Sequence, residues 1–132
     1  MKKLDNFSNC LSVLKSADFN MAQENDIYRT GVIGQFNLTF ELAWKALQAV
    51  LRVHGVDEAQ TGSPREILQA GYKTGFIDDE AVWLTMLKKR NTAAHIYDKT
   101  EIEKMLLLIS DSFIPAFVTL EGVLIRKTEN IE

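Results

Sequence analysis

The segment from Lys88 to Asp98 has the residue types that chemistry needs. It reads Lys88-Lys89-Arg90-Asn91-Thr92-Ala93-Ala94-His95-Ile96-Tyr97-Asp98, with Arg, Asn, His, Tyr and Asp inside nine residues. An arginine presents a planar fork of donors that matches phosphate oxygens. A histidine exchanges a proton near neutral pH. Arg90 and His95 are therefore a sufficient pair for metal-independent phosphodiester cleavage. The histidine deprotonates a ribose 2′-hydroxyl or protonates the leaving oxygen, and the arginine stabilises the charge developing at phosphorus. Geometry sets a condition. Five positions on an unbroken α-helix turn through about 140°, so the two side chains would not share a face. The helix must bend or end between them, or a second subunit must complete the cleft. The plainer alternative is that Arg90 pairs with a carboxylate and His95 caps or packs at a helix end. Lys88, Lys89 and Arg90 likewise fit either a solvated helix end that suits the dipole or a phosphate-facing patch.

Other chemistries fit less well. Gly62-Ser63 followed by Asp78-Asp79-Glu80 has the residue types of a Gly-Ser phosphate turn and paired Mg²⁺ carboxylates. Such carboxylates sit on a strand, and no strand is expected here; Ser63 and Asp78 fit helix caps better. The single Cys10 excludes an internal disulfide and a cysteine zinc site. Cys10 reads as a small buried hydrophobe. The two histidines stand in no metal-ligating pattern. No metal and no cofactor are expected.

The elements that must position these residues are helical. Leu4, Phe7, Leu11 and Leu14 recur at helical steps. Asp18 to Asp26 is polar and turn-like. Ile33, Phe36, Phe40, Ala43, Trp44, Leu47, Val50 and Leu51 form the longest apolar stripe. Arg52, His54 and Gly55 mark its end. Ser63-Pro64-Arg65-Glu66 reads as a capping box with proline at the first helical position. That helix stops around Gly71 to Gly75. Asp78 is placed to cap a fourth helix bearing Val82, Trp83, Met86 and Leu87. Thr100-Glu101-Ile102-Glu103 reads as a second capping box, opening a last long helix that Pro115 should kink. Trp44 and Trp83 are expected in the core. Gly31 and Gly34 are placed for close helix approach or irregularity.

The prediction is an all-α, antiparallel up-and-down bundle of about five helices, one domain over residues 1–132. The 132 residues suffice for one core. With 15 Lys+Arg against 18 Asp+Glu the net charge is −3, so any nucleic-acid contact must be local. Lys2 and Lys3 are not followed by an apolar run, and Met105 to Val118 is too short to span a bilayer. A cytoplasmic protein without membrane contact is expected.

Arg90-Asn91-x3-His95-x-Tyr97-Asp98 resembles the Arg-x4-His-x-Tyr motif of HEPN proteins. Phe40-Glu41-Leu42-Ala43-Trp44-Lys45 and the Ser63-Pro64-Arg65 cap resemble one branch, the nucleotidyltransferase substrate-binding proteins. The likeness runs over about residues 4 to 122. It implies a homodimeric helical bundle associated with a minimal nucleotidyltransferase encoded nearby. It implies a toxin that cleaves RNA without metal, with Arg90 and His95 as the catalytic pair and Asn91 in support. It also implies that the partner, as antitoxin, transfers AMP to Tyr97 and so blocks the cleft with bulk and charge. A dimer would bring two Arg–His pairs into one cleft. The alternative role is a non-catalytic subunit that presents a substrate to the nucleotidyltransferase. Gly34, Gln35 and Asn37 are less polar than that branch leads one to expect, which bears on partner-facing contacts of the long helix.

Overall fold

The computed structural model describes residues 1–91 and 98–129. Within them the chain is all α, with no strand. Helix α1 spans Lys2–Lys15, α2 Phe19–Glu24 and α3 Asp26–Val53. A 3-10 turn at Asp57–Ala59 leads to α4 (Pro64–Lys73) and α5 (Glu80–Lys89). Helix α6 (Lys99–Leu108) runs through a π-turn at Ile109–Phe113 into α7 (Ile114–Thr128).

Side-chain pairing gives the directions. Val13 and Leu14 lie near Tyr28 and Val32, while Cys10 bonds to Gln35 and Thr39. Numbers rise on α3 as they fall on α1, so the two are antiparallel. Helices α3 and α7 run the same way: Phe36 stacks on Phe113, and further along His54 Nε2 hydrogen-bonds with the Lys127 carbonyl oxygen. This is the alternation of an up-and-down bundle.

The expected Ser63 capping box is present. Ser63 Oγ accepts from the Glu66 N–H at 3.3 Å, and Glu66 Oε1 accepts from the Ser63 N–H at 3.1 Å. Gly55 takes the left-handed turn after α3, at φ +76°. Two other caps differ from expectation. Asp79, not Asp78, caps α5, accepting from the Val82 N–H at 3.2 Å. Asp98, not Thr100, caps α6, accepting from the Thr100 N–H at 2.7 Å. A carboxylate makes the stronger, charge-assisted cap.

The polar stretch expected as a turn contains the additional helix α2. Asp18 Oδ1 accepts from the Asn20 and Met21 N–H groups, and Ala22 is the one residue it buries. So little apolar surface leaves no periodic signal to read. Arg29 of α3 holds the end of α2, donating to the carbonyls of Ala22 at 2.9 Å and Gln23 at 2.7 Å.

Aromatic packing forms the centre of the core. Phe36 stacks on Phe113 with centroids 5.0 Å apart. Trp83 meets Phe117 edge-on at 5.5 Å, and Phe7 meets it at 6.1 Å. Trp44, expected inside, is only half-buried at the core's edge. Cys10 is buried, and its Sγ lies 3.3 Å from Thr39 Oγ1. Gly71 provides the close approach of α4 to α3: a Cβ there would stand 2.9 Å from Leu47 Cδ2. Gly31 and Gly34 do not, since a Cβ at either meets nothing within 4 Å.

Pro115 distorts the last helix as a π-turn just upstream. The Ile114 N–H reaches five residues back to Ile109 O. The combined helix, Lys99–Thr128, is 30 residues, long and apolar enough by length and composition to cross a membrane. The run Met105 to Val118, too short to span a bilayer by itself, is the central part of this helix. Its Phe113, Phe117, Leu120 and Leu124 lie in the same core as residues of α1 and α3.

Candidate functional site

Helix α5 ends inside the chemically equipped segment. Lys89 is its last residue; Arg90 has φ −59° and ψ 144°, already extended. Asn91 then takes φ +60°. Asparagine tolerates this left-handed conformation better than most residues. The sharp exit is fixed from α3: the Asn91 N–H donates to Asn37 Oδ1 at 3.2 Å.

The Arg90 side chain is held from the same helix. Its Nη1 donates to Glu41 Oε1 at 3.0 Å. The other carboxylate oxygen of Glu41 accepts from Trp44 Nε1, also at 3.0 Å. Glu41 is thus fixed on one side by an indole and orients a guanidinium with the other. Both side chains of the ion pair are about one-third exposed, 31% for Arg90 and 34% for Glu41. Arg90 therefore does pair with a carboxylate, while part of its side chain stays exposed.

His95 and Tyr97 lie outside the described residues. Arg90 and Asn91 are described, and the structure joins both to α3. Asp98 serves as the cap of α6. Glu41 and Asn37 have roles that sequence reasoning missed. A signal for them existed: Asn37 and Glu41 are four apart, each directly after a core phenylalanine. Asn37 and Gln35, expected to bear on partner contacts, are engaged within the chain. Gln35 Nε2 donates to the carbonyl oxygen of Cys10 at 3.0 Å.

An open cleft of about 620 Å³ lies beside Arg90. Arg65 and Ser63 border it from the start of α4; Leu84, Leu87 and Lys88 border it from α5. Arg65 was read only as part of a cap. Among the described residues, no group of three or more His, Cys, Asp or Glu is arranged to hold a metal ion.

A family model described as "nucleotidyltransferase substrate binding protein like" matches residues 2–125. No curated protein matches the chain.

Proposed function

The chain belongs to the nucleotidyltransferase substrate-binding protein-like family, and from that premise we propose that it is a toxin, a metal-independent ribonuclease restrained by a nucleotidyltransferase partner. Arg90 and His95 are the catalytic pair, and Asn91 supports them by shaping the exit from α5. The observation that carries this reading is the end of α5 at Lys89, with Arg90 tethered to Glu41. The 140° separation of an unbroken helix does not apply to a chain that has left the helix before His95. The Glu41 carboxylate leaves the guanidinium oriented yet accessible, as phosphate recognition requires.

In the proposed reaction the ribose 2′-hydroxyl gives up its proton as its oxygen attacks the adjacent phosphorus, and the leaving 5′-oxygen takes one up; His95 carries out one of these two transfers. The bond from phosphorus to the 5′-oxygen breaks, leaving a cyclic phosphate and a 5′-hydroxyl. Arg90 faces the charge on the non-bridging oxygens. Inactivation is AMP transfer by the partner: the Tyr97 oxygen attacks the α-phosphorus of ATP and pyrophosphate leaves. The functional unit is a homodimer.

The test is RNA cleavage by the purified protein in EDTA. Wild type should cut, and His95→Ala should be slower by about 10²-fold or more. Intact RNA with unmodified wild type, or equal cutting by the variant, refutes the reading. Incubation with ATP, Mg²⁺ and the partner should add one AMP mass, absent in Tyr97→Phe. The family's description favours a second reading, a non-catalytic subunit that presents substrate to the nucleotidyltransferase. Absence of cleavage with retained binding to that enzyme would select it.

A further inference from the structure

We infer that the cleft between α4 and α5 holds a second phosphate of a single-stranded RNA, adjacent to the one at Arg90, with Arg65 and Lys88 as its cations. This rests on the ribonuclease reading and adds a substrate-positioning site to it.

Among the described residues, Arg65, Lys88 and Arg90 border the cleft and no carboxylate lines it. Arg90 is paired with Glu41, which leaves Arg65 and Lys88 as the cleft's unneutralised cations. Neither Arg65 nor Lys88 has an ion-pair partner among the described residues. The chain as a whole carries a net charge of −3, so this is a local excess against the overall balance. Such a concentration attracts an anion where bulk charge would not. The Ser63–Glu66 capping box fixes the first turn of α4, and with it the backbone that carries Arg65. Ser63 and Pro64, at the start of α4, line the cleft, which puts the positive end of the α4 dipole at its border.

The apolar part of the cleft selects among anions. Leu84 and Leu87, both half-buried, line the same cleft as the cations. A bare phosphate ion has nothing to set against them. A nucleotide strand has phosphates for the cations and sugar and base faces for the leucines. A duplex keeps its bases stacked inside, so the fit is to a single strand. Arg90 borders both the cleft and the motif segment, which makes the track continuous with the proposed reaction site.

The experiment is a fluorescence anisotropy titration with a 2′-O-methyl oligoribonucleotide, which lacks the attacking hydroxyl and so separates binding from cleavage. Wild type should bind, and R65Q/K88Q should bind at least tenfold more weakly. The slope of log K against log salt should fall by about 0.7, the value for one lost phosphate contact on a single strand. K3Q/K15Q removes the same charge outside the cleft and should bind as wild type. Equal binding by R65Q/K88Q, equal weakening by K3Q/K15Q, or no binding by wild type overturns the inference. ATP binding that depends on Arg65 and Lys88, with no oligonucleotide binding, also overturns it. Cleavage in EDTA is run on the same proteins. Wild type that cuts RNA while R65Q/K88Q binds and cuts equally refutes the cleft alone. Binding that depends on Arg65 and Lys88 without any cleavage refutes the ribonuclease reading alone.

Discussion

Helix α3 carries two stripes side by side, and they do different work. Phe36 and Phe40 face the core and meet Phe113 and Trp83. Asn37 and Glu41 follow them by one residue, about 100° around the helix, and hold Asn91 and Arg90. The first stripe is fully buried and its partners are specified by shape and volume. The second is part-exposed and its partners are specified by hydrogen-bond geometry. One rigid helix therefore couples the α5 exit to the core: whatever fixes the phenylalanines also fixes the two groups that orient the candidate site.

Substitutions can separate the two stripes. Phe36→Ala should have the largest effect on folding, a loss of about 3–5 kcal/mol in urea unfolding. A loss below about 1 kcal/mol would mean that the aromatic stripe does not anchor the bundle. Arg90→Ala should reduce RNA cleavage by about 10²–10³-fold while the urea midpoint stays near wild type. A large fall in the midpoint instead would make Arg90 a structural residue. Glu41→Gln should change stability by no more than about 1 kcal/mol, as expected of a partly exposed ion pair. Its cleavage rate should drop about tenfold, expressed in kcat more than in KM, because the arginine is still present but less well oriented. Equal kcat in the two proteins would remove Glu41 from the site.

The smallest effect belongs to the α4 cap. The Ser63 N–H, and then its hydroxyl, hold the Glu66 carboxyl below the usual glutamate range. A lowered folded-state pKa contributes stability above the unfolded value, about pH 4.3, and that contribution fades as pH falls through the folded value. Glu66→Gln should therefore melt slightly lower at pH 6, with the difference vanishing toward pH 3. A thermal melt series across that range checks it. A difference that persists at pH 3 would assign the effect to packing instead of the cap.

Much of the fold was legible because its signals are local. The stripe from Ile33 to Leu51 and the Ser63–Glu66 box each lie within one turn or one face, where periodicity and capping chemistry decide. The caps that were misplaced, Asp79 and Asp98, each had a competing polar neighbour. Choosing between neighbours needs the backbone conformation at the helix start, which the path of the preceding loop decides. Helix α2 was missed because it buries little more than Ala22. Trp44 was read as core because its position in the stripe says apolar, while its indole nitrogen is engaged by Glu41 at the rim.

The candidate site divides along the same line. Arg90 and its neighbours are notable by residue type alone, since a dense set of donors and a titrating histidine is a chemical fact of the sequence. The sequence also determined the all-α class, through its period, and the Ser63 cap, through its spacing. Tertiary structure decided what those residues face. Glu41 lies 49 positions from Arg90 and Asn37 54 positions from Asn91. Arg65 reaches the same cleft as Lys88 only because α4 and α5 pack together. Pairings at such separations have no local signature. They follow from burying Phe36, Phe40, Trp83 and Phe117 in one core, which leaves the polar residues one step around each helix to meet at its edge.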